Sequence, residues 1–139
     1  MTNVLFIFNV KDKWSVLHNL ILKNLQKKRT TLVFCSNKKE GDALSEYFWN
    51  NSPSNFLAHQ VNQVCMNEMI CIASEKVDWM DDTLINSTDS MVNGFNRYLK
   101  LVELVTEDEA AKIKARERYK FYKDCGYRLS SMDVSNINF

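Results

Sequence analysis

Asn3-Val4-Leu5-Phe6-Ile7-Phe8-Asn9 and Thr31-Leu32-Val33-Phe34-Cys35 are two short apolar runs rich in β-branched and aromatic residues. Their length and continuity are those of strands buried on both faces. Between them, residues 12–28 set Trp14, Leu17, Leu20, Ile21 and Leu25 on one side and Lys23, Lys27 and Lys28 on the other. That spacing is the 3.6-residue rhythm of an amphipathic helix. The same alternation then repeats. Residues 38–50 form a second helical pattern, with Ala43/Leu44 and Tyr47/Phe48 on one face before Trp49, and Asn50-Asn51-Ser52-Pro53-Ser54 ends it in a turn. Residues 56–61, 69–73, 83–86 and 99–105 read as further strands, with an acidic turn at Asp78, Asp81 and Asp82. Strands alternating with helices indicate an α/β fold with a largely parallel sheet, a single domain spanning residues 1–139.

The last helix is the best marked. Thr106-x-x-Glu109 matches a capping box, with Glu107 and Asp108 where the helix dipole favours negative charge. Gly126 sits where a C-terminal glycine belongs, and Lys123 lies in the last turn. Residues 130–139 read as a loosely held tail or a short edge strand.

Several function classes recede on composition. No apolar run approaches the ~18 residues of a membrane span. The first strand has no basic segment before it, unlike a signal peptide, so a cytoplasmic location is expected. Cys35, Cys65, Cys71 and Cys125 lie far apart, with no paired motif, and read as buried free thiols rather than metal ligands. The first strand–helix turn, Asn9-Val10-Lys11-Asp12-Lys13, lacks the glycines that let a backbone approach a pyrophosphate. With glycine only at 41, 94 and 126, no phosphate-binding loop can be written anywhere. His18 falls in a helix pattern that suits a structural role, His59 in a strand pattern that suits a structural role or part of a binding surface, and Asp81-Asp82 reads as a solvated turn. No catalytic site, cofactor or metal is expected.

Charge is the informative feature. The net charge is +1, yet residues 110–128 carry seven cations against two carboxylates, +5, which leaves −4 for the rest. On a helical projection Lys112, Arg116, Lys120 and Lys123 fall within about an 80° arc bordered by Tyr119. Ala111, Ala115, Tyr122 and Cys125 lie to the other side, and Arg118 falls among them, where it needs a carboxylate partner or an exit to solvent. A stripe of one sign repels itself, unlike the mixed pairs of an ordinary wet helix face. Duplex DNA would want a broader basic field, and a single strand several aromatic platforms. A short acidic peptide needs only a few cations and one apolar pocket, which Trp49 and Phe56 could line. Single-stranded nucleic-acid binding through the same helix is the rival reading.

The run Ala115-Arg116-Glu117-Arg118-Tyr119-Lys120-x-Tyr122-Lys123-x-x-Gly126-Tyr127-x-Leu129 resembles the C-terminal signature of the chi subunit family of bacterial DNA polymerase III. Residues 44–49 with Pro53, Phe56 and His59 are similar to that family's second helix and following strand. The resemblance implies a three-layer α/β/α fold, Rossmann-like in outline without a nucleotide site. It also implies a non-catalytic adaptor that grips the acidic C-terminal tail of single-stranded DNA-binding protein and pairs with the psi subunit, which joins it to the clamp loader. In some bacteria a helicase-like repair protein is a further partner. Sequence-specific nucleic-acid binding and membrane association are not implied. Matched residue by residue, the tail-binding set is Lys112, Arg116, Tyr119 and Lys120, with Val105, Trp49 and Phe56 as its apolar side. Candidates for the psi surface are Trp79, Met80, Leu84 and Phe95, each also readable as core.

Overall fold

The alternating runs fold into one seven-stranded sheet. A computed structural model describes residues 2–51, 60–61, 70–74 and 82–135, apart from the side chains of Leu25, Trp49, Asn51, Gln60 and Val61. The elements follow in the order β1 (Asn3–Val10), α1 (Lys13–Gln26), β2 (Thr31–Phe34), α2 (Lys38–Asn51), β3 (Gln60–Val61), β4 (Ile70–Ala73), β5 (Thr83–Asn86), β6 (Lys100–Thr106), α3 (Glu109–Asp124) and β7 (Arg128–Asp133). A single 3-10 turn, Phe95–Arg97, lies between β5 and β6. Across the sheet the strands run β3-β4-β2-β5-β6-β1-β7. Every pairing between neighbours is parallel. A parallel strand pair needs a crossover, and a right-handed one puts the helix on a side set by the direction of travel. The chain moves one way across the sheet through α1 and α2, then the other way through α3. The two directions load opposite faces.

Each face buries its own cluster. Ile7, Val10, Val33, Ile70, Ile72, Ile85, Val102 and Leu104 meet Val16, Leu17 and Ile21 of α1 and Leu44 and Phe48 of α2. On the other side Val4, Phe6, Leu32, Leu84, Leu101 and Val105 meet Ala115 and Tyr122 of α3, with Val92, Phe95 and Tyr98 filling the space beside it. The three layers are therefore α1 and α2, the sheet, and α3. Gly41 of α2 faces the sheet, where an added Cβ would meet Ile72 Cγ2 at 3.4 Å, an ordinary contact. His18 takes the structural place expected of it, stacked on Phe48 with ring centroids 5.9 Å apart. Leu84 and Phe95 are buried in the α3-side core, whereas Trp79, Met80, His59, Cys65, Asp78 and Asp81 lie outside the described residues.

Two expectations change. The cap of α3 is not Thr106, which ends β6, but Asp108, whose carboxylate accepts from the amides of Ala110 and Ala111. β6 stays extended through Thr106 because its pairing with β1 reaches Val10 opposite that residue, so the helix starts at Glu109. Cys35 and Cys71 are buried thiols, but Cys125 is exposed, because it is the C-cap residue and leaves the packed face with the helix end. Gly126 does take the expected role. It adopts φ 86°, its amide donates to the Lys123 carbonyl at 3.0 Å, and the Tyr127 amide donates to the Tyr122 carbonyl at 3.1 Å. That is the Schellman arrangement, in which a left-handed residue lets two orphan carbonyls be satisfied.

The two candidate caps separate experimentally. Asp108→Ala is expected to cost about 1 kcal/mol in urea unfolding, and Thr106→Ala clearly less. Gly126→Ala is expected to cost about 1–2 kcal/mol from the left-handed backbone alone, since nothing lies within 4 Å of the added Cβ.

Candidate anion-binding groove

A groove of about 390 Å³ opens where α3 overhangs the carboxyl ends of β1 and β7. Its walls are Phe6, Phe8 and Asn9 of β1, Val105 of β6, Ser131 of β7, and Lys112, Ala115, Arg116 and Tyr119 of α3. Local irregularity in β1 helps build it. Ile7 lies opposite Leu104 and Val10 opposite Thr106, so β1 advances three residues while β6 advances two. The extra residue sits at Phe8–Asn9, and Asn9 takes φ 60°, a left-handed conformation that asparagine tolerates. Two consecutive β1 residues thereby line the same groove. Asn9 Nδ2 donates to Asp133 Oδ1 at 3.1 Å, tying the ends of β1 and β7 together.

The floor is apolar and the rim cationic. Phe6 and Val105 are buried, and Tyr119 leans edge-on against Phe6 with ring centroids 5.2 Å apart. Lys112 has a long contact of 3.8 Å to Glu109. Arg116 is exposed and in no ion pair among the described residues. An apolar floor under an unpaired guanidinium suits a ligand carrying both a carboxylate and an apolar side chain.

Of the residues singled out from sequence, Lys112, Arg116, Tyr119 and Val105 converge on this groove. Lys120 is exposed on the same flank of α3, farther round the helix and outside the lining. Trp49 belongs to α2, which packs on the opposite face of the sheet from α3. Its side chain and the whole of Phe56 lie outside the described residues. Sequence reasoning missed Phe6, Phe8, Asn9 and Ser131. A strand buried on both faces shows no polar alternation, so nothing in residues 3–9 marks which members face α3.

The groove depends on how α3 is rotated, and a buried polar cluster holds it. Arg118 Nε donates to Glu103 Oε2 at 2.5 Å, and its guanidinium also donates to the Asp89 carbonyl at 2.6 Å. The other oxygen of Glu103 accepts from Asn86 Nδ2 at 2.6 Å, and Tyr122 donates weakly to Oε2 at 3.4 Å. Asn86 in turn accepts from the Thr88 amide and hydroxyl. Arg118 thus found the carboxylate its position required. Burial pushes Glu103 above the usual carboxylate range, while Arg118 and the hydrogen bonds pull it back only in part.

Open parallel sheets bind ligands where neighbouring strands send their connections to opposite faces. Here neighbouring strands do so between β2 and β5 and between β6 and β1. The groove opens beside the second point, and at the first the chain's own side chains fill the crevice. Ser87 donates to the Phe34 carbonyl at 2.9 Å and to Glu40 Oε1 at 3.3 Å, and Lys13 pairs with Glu40 at 3.3 Å. Burial pushes the Cys35 thiol there up to about 11. No cluster of three potential metal ligands exists among the described residues. No helix among the described residues is long and apolar enough to cross a membrane.

Fold and groove define a three-layer α/β protein, Rossmann-like in outline, whose cleft lies beneath its last helix at the carboxyl ends of β1 and β6. Residues 1–130 match the family model of the DNA polymerase III chi subunit, HolC, and the chain belongs to that family. It is 24% identical over 113 residues to the DNA polymerase III subunit chi of Haemophilus influenzae, covering 76% of each chain. In shape it is similar to the C-terminal domain of the DEAD-box protein Dbp5, with TM-score 0.69, 11% identity, and 97% and 91% of the two chains covered. Against S. cerevisiae Dbp5 bound to RNA and ADP BeF3 the TM-score is 0.72 at 11% identity, with 97% of this chain and 42% of that one covered. At such identities the likeness is one of fold alone. Family membership makes the chain an accessory subunit of a replicative polymerase, working in complex with other subunits.

Arg118→Met is expected to destabilise the fold by about 3–5 kcal/mol at pH 7, because it strands a buried carboxylate. A carboxyl that holds its proton more tightly when folded loses stability as pH rises out of the ordinary carboxylate range. Removing Arg118 deepens that loss, so the variant should regain stability at pH 5. Adding Glu103→Gln should restore part of it at pH 7. Urea unfolding at both pH values reads all three.

Proposed function

We propose that the chain is a non-catalytic adaptor whose α3 groove receives the acidic C-terminal tail of single-stranded DNA-binding protein. The observation that carries this reading is the meeting of Arg116, exposed and in no ion pair among the described residues, with an apolar floor of Phe6, Phe8 and Val105 in one groove. Arg116 would hold a carboxylate with its planar fork. Lys112 and Lys120 would draw in the tail's aspartates, contributing on-rate and salt sensitivity more than affinity. An apolar side chain at the tail's end would sit against the phenylalanines and Tyr119, worth roughly 2 kcal/mol if nearly buried. Trp49 and Phe56 belong to the site through the resemblance alone; α2 lies on the far face, so the apolar role near Arg116 falls to Phe6 and Phe8. A psi subunit linking the chain to the clamp loader, a helicase-like repair partner and a cytoplasmic setting complete the reading.

Arg116→Glu should lower affinity for an acidic peptide ending in Phe at least tenfold while leaving circular dichroism unchanged. Lys120→Ala should lower it a few-fold, and wild-type affinity should fall steadily between low and physiological salt. Fluorescence anisotropy measures each. An unchanged Arg116→Glu affinity would remove the groove from the reading. A poly-dT oligonucleotide bound more tightly than the peptide would favour a nucleic-acid ligand instead.

A further inference from the structure

We infer that the groove's ligand is held as an added β-strand: an extended acidic peptide pairs in parallel with the open edge of β7 and turns its last residue into the groove. This rests on the reading of the groove as a peptide site and specifies how the peptide lies.

β7 is the last strand of the sheet, paired with β1 on one side only among the described residues. The Val134 amide donates to the Phe8 carbonyl at 3.2 Å, so even-numbered residues of this segment turn their backbone groups toward β1. By strand alternation, the amides and carbonyls of Leu129, Ser131 and Asp133 point outward along the open edge. Arg128 and residues 130–133 are exposed. Backbone groups in such a row are a template for another strand.

The edge is continuous with the groove through one residue. Ser131 presents its backbone to the open side and its side chain to the groove wall. Direction follows from charge. The groove lies at the carboxyl end of the sheet, beside Phe8 and Asn9 at the end of β1, Val105 near the end of β6, and Lys112 in the first turns of α3. A strand running parallel to β7 brings its carboxyl end there, onto Lys112 and Arg116. A strand running antiparallel would bring an amino terminus to the same cations. Beyond the groove α3 carries the exposed Lys123 within about 20° of the Lys112 direction on a helical projection, and the exposed Arg128 stands at the start of β7, so acidic side chains earlier in the peptide meet positive charge. Backbone pairing is indifferent to side chains, so it adds affinity while the groove and the cations select the ligand.

The test uses the full chain and one nine-residue peptide, rich in aspartate and ending in Phe, in three forms: unmodified, N-methylated at odd positions counted back from the terminus, and N-methylated at even positions. A peptide paired on one edge turns alternate amides to β7, so one methylated form should lose roughly tenfold or more in affinity and the other should bind within about twofold of the parent. Amide exchange should slow at Leu129, Ser131 and Asp133 on peptide addition, with Ser130, Met132 and Val134 unchanged. Equal binding by the two methylated forms, whether both weak or both strong, overturns strand addition. If that equality comes with Arg116-dependent binding, the groove reading stands and the strand fails. If the parent peptide does not bind, or binds regardless of Arg116→Glu, the groove reading itself falls and takes the strand with it.

Discussion

The buried contact between Arg118 and Glu103 decides how the last helix sits on the sheet. Glu103 is fully enclosed in a central strand, and a carboxylate in that position is tolerable only with a cation and hydrogen bonds around it. Arg118 supplies the cation, Asn86 and Tyr122 supply donors, and the Asp89 carbonyl takes the far end of the guanidinium. These partners come from β5, the loop after it, β6 and α3. Rotating α3 by one residue, about 100°, would pull Arg118 away from Glu103 and leave both charges buried alone. The helix therefore has one permitted rotation, and that rotation sets Lys112, Arg116 and Tyr119 at the groove.

The same contact sharpens the charge on the surface. Arg118 is neutralised internally and leaves the outer field. Glu107, Asp108 and Glu109 gather at the amino end of α3, where the helix dipole favours them and Asp108 caps the first amides. The cations follow along the flank. On the groove side of α3 the acids thus stand at the start and the cations follow, while the exposed Glu117 and Asp124 lie farther round the helix.

Much of the fold was legible because its elements obey strong local rules. The buried runs at β1, β2 and β6, the helical rhythm of α1 and α2, and the Gly126 stop each follow from residues a few positions apart. The α3 start was misplaced by two residues because Thr106 and Asp108 both satisfy cap chemistry, and only the length of β6 pairing decides between them. For the site, the helical half was readable, since its stripe lies within one element. The strand half was not. Phe6, Phe8 and Ser131 join the groove through a bulge and a strand pairing more than 120 residues apart in sequence, since Asn9 bonds Asp133 with a separation of 124, and neither leaves a local trace.

An exposed, parallel edge strand ordinarily invites self-association, and proteins discourage it with charge and short, polar strands. β7 has six residues, Arg-Leu-Ser-Ser-Met-Asp, with only Leu129 drawn into the core cluster. The overhanging flank of α3 is positive, so a second copy docking edge to edge would bring like charges together. An acidic strand meets no such barrier. In the proposed strand addition the edge would select by electrostatics, disfavouring its own kind and admitting a chain of opposite charge whose last residue fits the apolar groove.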